Sequence, residues 1–143
     1  MHKGELKIRG DRKDGVLDHL VGSKHYQGDI IVEVDEDKKD NRIRYPDGRI
    51  YVGEIDKARF GPHGFGKVTF PNESVYEGEW KDSEMHGHGV FRWKDGSAYE
   101  GEYKHGKKHG KGTFYFTNGN RYEGYWDKGH QDGKGIVFSK DGS

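Results

Sequence analysis

The sequence contains no cysteine, three prolines and two methionines in 143 residues. Without thiols, neither a disulfide framework nor thiolate chemistry is available, a composition that suits a reducing compartment. Hydrophobic residues are scarce, at 29% against 35% charged residues, and bulk numbers of this kind lean toward disorder. Net charge is zero, so no long-range attraction to nucleic acid or to an anionic membrane is built into the whole chain. No apolar stretch approaches the length of a membrane span. The first 20 residues lack the continuous apolar run that a secretory signal needs. The expectation is a cytoplasmic protein with no nucleic-acid partner.

In place of bulk apolar residues the chain has 24 glycines and a 13% share of aromatics, and these recur on a fixed period. Tyr99-Glu-Gly-Glu-Tyr103 leads to Gly110-Lys-Gly-Thr-Phe-Tyr-Phe116 and a turn at Asn118-Gly119. Tyr76-Glu-Gly-Glu-Trp80 leads to Gly87-His-Gly-Val-Phe-Arg-Trp93 and the turn Asp95-Gly96. Tyr122-Glu-Gly-Tyr-Trp126 leads to Gly133-Lys-Gly-Ile-Val-Phe138 and Asp141-Gly142, and upstream Tyr51-Val-Gly-Glu-Ile55 leads to Gly64-Phe-Gly-Lys-Val-Thr-Phe70. The leading tyrosines fall at 51, 76, 99 and 122, a spacing of 25, 23 and 23 residues. A period of this size marks a stacked repeat architecture.

Within one unit, Tyr76, Gly78 and Trp80 alternate onto one face of a strand and the glutamates between them onto the other. Phe91 and Trp93 share a face in the second half of the unit. The same reading gives a repeat core of Tyr51, Gly53 and Phe70, then Tyr99, Gly101, Tyr103, Phe114 and Phe116, then Tyr122, Gly124 and Trp126. Asp-Gly or Asn-Gly supplies the positive φ of a tight hairpin connection. A glycine inside a strand is unfavourable unless its missing side chain is used. Here the expected use is to let an aromatic ring lie flat on bare backbone. One such hairpin is not stable alone in water, so the units must stack. The expected fold is all-β, an elongated single-layer stack of antiparallel β-hairpins.

The strings Tyr-Glu-Gly-Glu-Trp, His-Gly-x-Gly and Asp-Gly at a 23-residue period resemble MORN (membrane occupation and recognition nexus) repeats. The resemblance runs from Tyr51 to Ser143, in units 51–75, 76–98, 99–121 and 122–143. It implies a β-hairpin rod and a family of scaffold modules whose members sit in ciliary radial spokes, membrane junctions, cytoskeletal rings, lipid kinases and a histone methyltransferase. The functional expectation is a non-enzymatic scaffold that binds another protein within a cytoskeletal or ciliary assembly. The alternatives are a phospholipid-binding recruitment module and a regulatory segment of a larger enzyme.

Residues 1–25 read as a cap or docking segment, and residues 26–50 as a degenerate repeat. Tyr26-Gln-Gly28-Asp-Ile30 aligns with the strand opening of the other units, while Lys39 and Asn41 replace the paired glycines. Phe60 lies in a two-residue insertion, where it either projects toward a partner or folds back over the core. Tyr115, Tyr125 and Phe138 occupy outward positions and are candidate partner contacts. The last strand should leave an edge of unpaired backbone groups, which implies either end-to-end dimerisation or a longer parent chain.

Chemical sites are harder to build. The Gly-x-Gly pairs lack the dinucleotide spacing, and Gly106–Gly112 is one residue short of a phosphate loop. No catalytic residue and no cofactor is expected. His63, His86 and His109 recur before the glycine pairs, about 10 Å apart if each hairpin adds two strand spacings, too far to share one metal ion. A hydrogen bond to turn backbone is the expected role, with His86/His88 and His105/His109 as weak metal candidates. Lys104, Lys107, Lys108 and Lys111 form a basic turn that could meet phosphoinositide head groups or simply be solvated.

Overall fold

A computed structural model describes residues 23–35 and 40–141. Most of the amino-terminal segment, the charge run at 36–39 and the final Gly142-Ser143 lie outside the described residues. Eleven strands form one sheet in sequence order, each antiparallel to the next. They are β1 (Ser23–Gln27), β2 (Ile30–Val34), β3 (Asn41–Arg44), β4 (Ile50–Asp56), β5 (Gly61–Thr69), β6 (Val75–Lys81), β7 (Glu84–Arg92), β8 (Ala98–Lys104), β9 (Lys107–Tyr115), β10 (Arg121–Asp127) and β11 (His130–Phe138). The described residues contain no helix and no second layer.

Register explains how one layer makes a core. A row crosses the sheet from Val32 through Ile43, Tyr51, Val68, Tyr76, Phe91, Tyr99 and Phe114 to Tyr122. Two residues along runs a row of glycines: Gly53, Gly66, Gly78, Gly89, Gly101, Gly112, Gly124 and Gly135. Each tyrosine ring lies over the glycine two positions along on the next strand. A methyl group on Gly66, Gly89, Gly112 or Gly135 would come within 2.0–2.2 Å of the phenol oxygen of Tyr51, Tyr76, Tyr99 or Tyr122. The hydroxyls of Tyr76 and Tyr99 donate to the carbonyls of Glu79 and Glu102 at 2.9 and 3.1 Å, and Tyr51 to that of Glu54. Tyr51, Tyr76 and Tyr99 are wholly buried as a result.

The second aromatic of each unit stands edge-on between two such tyrosines. Trp80 meets Tyr51 and Tyr76, Tyr103 meets Tyr76 and Tyr99, and Trp126 meets Tyr99 and Tyr122. Ring centroids are 5.1–5.7 Å apart and interplanar angles 80–90°. Edge-to-face pairs of this kind each add about 0.5–1.5 kcal/mol beyond the area they bury. Successive repeats are therefore zipped together by a continuous ring chain.

The paired glycines do different jobs. Between Gly78↔Gly89 and Trp80↔Met85, one residue on β6 faces three on β7, a bulge that recurs in every unit. The first glycine of each Gly-x-Gly sits in that bulge with left-handed backbone, as at Gly87 with φ 76°. The facing glutamate folds over it: a methyl on Gly87 would meet Glu79 Oε1 at 2.3 Å. The second glycine is the tyrosine's seat. In the last unit Tyr125 replaces the glutamate, and the space beside Gly133 is open.

Two sequence readings are corrected by the turns. The tight two-residue hairpins are Asp82-Ser83, His105-Gly106 and Lys128-Gly129, where both residues have positive φ. In the Asp95-Gly96 loop only the glycine does, while Asp95 Oδ1 accepts from the Ser97 N–H at 2.9 Å. The tight turns also latch units together, with the N–H of Ser83, Gly106 and Gly129 donating to the carbonyls of Pro62, Met85 and Lys108. Upstream, Tyr26–Ile30 is not a strand opening. Tyr26 lies near the end of β1, and Gly28-Asp29 turns the chain into β2. Asn41 stands in the glycine row opposite Gly53 and donates from Nδ2 to its carbonyl at 3.1 Å, so this position is polar where later units carry a ring seat.

Candidate binding face

Because the sheet is one layer thick, nothing among the described residues covers the outer edge of its ring face. Phe70, Phe91, Trp93 and Phe114 are half-buried there and Phe116 is 39% exposed. The sequence assigns these residues to the repeat core, and the structure makes them a stripe: Phe70–Phe91 5.6 Å, Phe91–Trp93 4.5 Å, Trp93–Phe114 5.4 Å and Phe114–Phe116 5.0 Å between centroids. The tilts of 35–50° present ring faces and edges together.

Lys108 enters this stripe. Its Nζ lies 5.2 Å from the Trp126 centroid, 5.4 Å from Trp93, 5.5 Å from Tyr99 and 5.9 Å from Phe114. These distances fall within the range of cation–π attraction. Pairing with Tyr103 places Lys108 on the ring face, where Pro62, Met85 and Gln131 stand in the other units. Desolvation pulls its pKa below the ordinary lysine value. Lys108 thus leaves the basic turn expected from sequence, while Lys104, Lys107 and Lys111 are exposed. Nearby, Trp126 is buried and its Nε1 lacks a hydrogen-bond partner among the described residues, whereas Trp80 Nε1 donates to the Gly66 carbonyl at 3.0 Å.

On the opposite face, Tyr115 (41% exposed) and Tyr125 (54%) point outward, and Phe138 is half-buried beneath the Arg121 guanidinium at 4.1 Å. Phe60 folds back: its ring stacks on His25 at 4.4 Å and packs against the core. Phe65, not singled out by its sequence, is 54% exposed. It borders an open groove of about 390 Å³ with Asp40, Val52, Glu54, Lys67 and Glu77. The odd offset of Phe65 from Val68 puts it on the face opposite the rings, a position easily passed over because it is the middle residue of a Gly-x-Gly pair.

The histidines serve the hairpin edge. His63 Nδ1 accepts from the Asp82 N–H at 3.3 Å, His105 lies 3.1 Å from Glu84, and His109 lies 3.8 Å from Asp127. Among the described residues, no group of three or more His, Cys, Asp or Glu side chains is placed to hold a metal ion. Among the described residues there is no helix long and apolar enough to cross a membrane, which says nothing of a β-barrel.

The family model for the MORN repeat matches residues 61–75, 76–98, 99–121 and 122–143. Among solved structures, the chain is similar to the TCP domain of SAS-4 from Drosophila melanogaster, determined in complex with a proline-rich motif of Ana2. That likeness has a TM-score of 0.52 at 13% sequence identity and covers 84% of this chain and 73% of that one. It is a likeness of fold. No curated protein matches the chain.

Proposed function

Because the chain belongs to the MORN repeat family, whose repeats are generally non-enzymatic protein- or lipid-interaction modules, we propose that it is a protein-binding scaffold. The observation that carries this reading is the stripe from Phe70 to Phe116, half-exposed on an open single-layer face. Aromatic side chains are enriched in the cores of protein interfaces, where large rings give contact area at low entropic cost. The SAS-4 domain of similar fold was solved with a peptide motif of another protein, which suits the same mode of use. Within the cell we place the module in the cytoplasm, as part of a cytoskeletal or ciliary assembly. Self-association through the open β11 edge is a further mode of assembly.

Recruitment to phospholipid is the competing reading, and exposed Lys104 and Lys107, adjacent across the β8–β9 turn, favour it. Against it, Lys108 turns to the ring face, and exposed Glu84 and Asp127 lie beside His105 and His109 on the same edge. Two experiments separate the readings. A protein captured from native lysate by the wild-type chain should be lost with Trp93→Ser and retained with Lys107→Glu. Salt-sensitive flotation with phosphoinositide liposomes, abolished by Lys107→Glu and unaffected by Trp93→Ser, would replace the scaffold reading with the lipid one.

A further inference from the structure

The ring face has one feature that sealing a repeat core does not require. Lys108 stands where the neighbouring units use Pro62, Met85 and Gln131, and no carboxylate among the described residues pairs with it. Four rings surround its Nζ at 5.2–5.9 Å, toward the outer limit of cation–π attraction. An ammonium group has three donors, and ring faces satisfy them poorly, so an oxygen acceptor arriving from the open side would complete the site. The lysine's partial burial strengthens any such pairing, because a half-desolvated charge is screened less than one in open water.

The shape of the stripe limits what can bring that acceptor. It runs across the strands from the end of β5 to the end of β9, about four strand spacings or roughly 19 Å. Strands β5 to β9 are paired on both sides, so a ligand on this face gains no ladder hydrogen bonds. β-Augmentation is thereby excluded at the stripe. A polyproline II segment needs no such bonds, rises about 3.1 Å per residue and packs its rings on aromatic side chains. About six residues would span the stripe at that rise.

Resting on the protein-binding reading, we propose that the ring face takes an extended, proline-rich peptide carrying one acidic residue, whose carboxylate pairs with the Lys108 ammonium while flanking prolines cover Phe91, Trp93 and Phe114.

The test uses the full 143-residue chain and two capped peptides, Pro-Pro-Pro-Glu-Pro-Pro and its twin with Gln for Glu. Binding is read from the fluorescence of the tryptophans, two of which border Lys108. The Glu peptide should bind about tenfold more tightly than the Gln twin, the worth of one charge-assisted contact. Lys108→Met should erase that ratio, and Met85 at the equivalent position indicates that the variant will fold; circular dichroism and a thermal melt check this. Trp93→Leu should weaken both peptides. Failure of both peptides to bind, equal binding of the twins, or a ratio that survives Lys108→Met overturns the inference. If the twins bind equally but both weaken in Trp93→Leu, the ring face remains the docking surface and only the carboxylate is wrong. If peptide binding is indifferent to Trp93→Leu, the reading of the face falls too.

Discussion

Tyr76 and Gly89 claim the same space: a methyl group on Gly89 would sit 2.2 Å from the Tyr76 phenol oxygen and 2.4 Å from ring carbon Cε1. Gly89 has no positive φ, so alanine would meet no backbone strain there. Its whole effect is the collision with a fully buried ring. Gly89→Ala should therefore destabilise by about 2–3 kcal/mol, the upper range for overpacking a rigid site. In a Tyr76→Ala background the same change should cost nothing further, because the ring is gone. Urea unfolding of the four proteins in a double-mutant cycle gives the coupling; additive losses would show that the ring does not use the glycine.

The loop at Asn72-Glu73 makes the opposite prediction. The Glu73 N–H donates to the Phe70 carbonyl just as Gly48, Gly96 and Gly119 donate to Tyr45, Trp93 and Phe116. Those glycines have φ of 100°, 97° and 93°, and Glu73 has φ 73°. A left-handed non-glycine residue costs roughly 1–2 kcal/mol, and glycine gives back about 0.5–1 through unfolded-state entropy. The exposed Lys94–Glu73 pair at 3.6 Å contributes little. Glu73→Gly should thus stabilise by about 0.5–1 kcal/mol, seen as a higher urea midpoint with unchanged slope.

These two positions show what was legible in the sequence. Tyrosine and glycine at a fixed spacing require a ring on bare backbone, because no other packing uses both residues, and the architecture follows from that. Charge and local motif were weaker guides. Gly28 resembles a repeat glycine but has φ 63°, and it serves as a turn. Lys108 looks like one more lysine of a basic turn, yet it stands six residues before Phe114, an even count that puts both on the ring face. Alternation along β9 therefore assigns its side, and what hides it is that residues 104–111 read as one turn, whereas the strand already begins at Lys107.

Alkaline titration should report the ring chain. Burial pushes the Tyr99 phenol from its usual 10.0 up to about 12, and burial likewise raises Tyr51, Tyr76 and Tyr103. For a group whose folded pKa lies above its unfolded one, the stabilisation is complete below the unfolded value. It drains away as pH rises from about 10 through about 12. Absorbance of tyrosinate should accordingly rise in two stages, and the later one should coincide with loss of the β-sheet circular dichroism signal. A single early stage with the sheet intact would mean that these four hydroxyls are open to water.

The β11 edge decides whether copies of this chain join. One side of β11 pairs with β10, and in the described sheet its other side is unpaired over nine residues. Val137 continues the tyrosine row by pairing with Tyr122, yet it is 59% exposed, and Ile136 on the opposite face is 61% exposed. The Ile136–Phe138 end of this edge is apolar on both faces and can template another strand, while the usual charged deterrents, Asp132 and Lys134, are confined to its other end. Two such edges meeting antiparallel about a two-fold axis would close the contact through β11, with β1 as the outer edge of each copy's described sheet. Light scattering should therefore show the wild-type chain shifting from monomer toward dimer as concentration rises. Val137→Lys should remain monomeric with a thermal midpoint near that of wild type, because the side chain is largely in solvent. A wild-type chain that stays monomeric at the highest concentration would eliminate this contact.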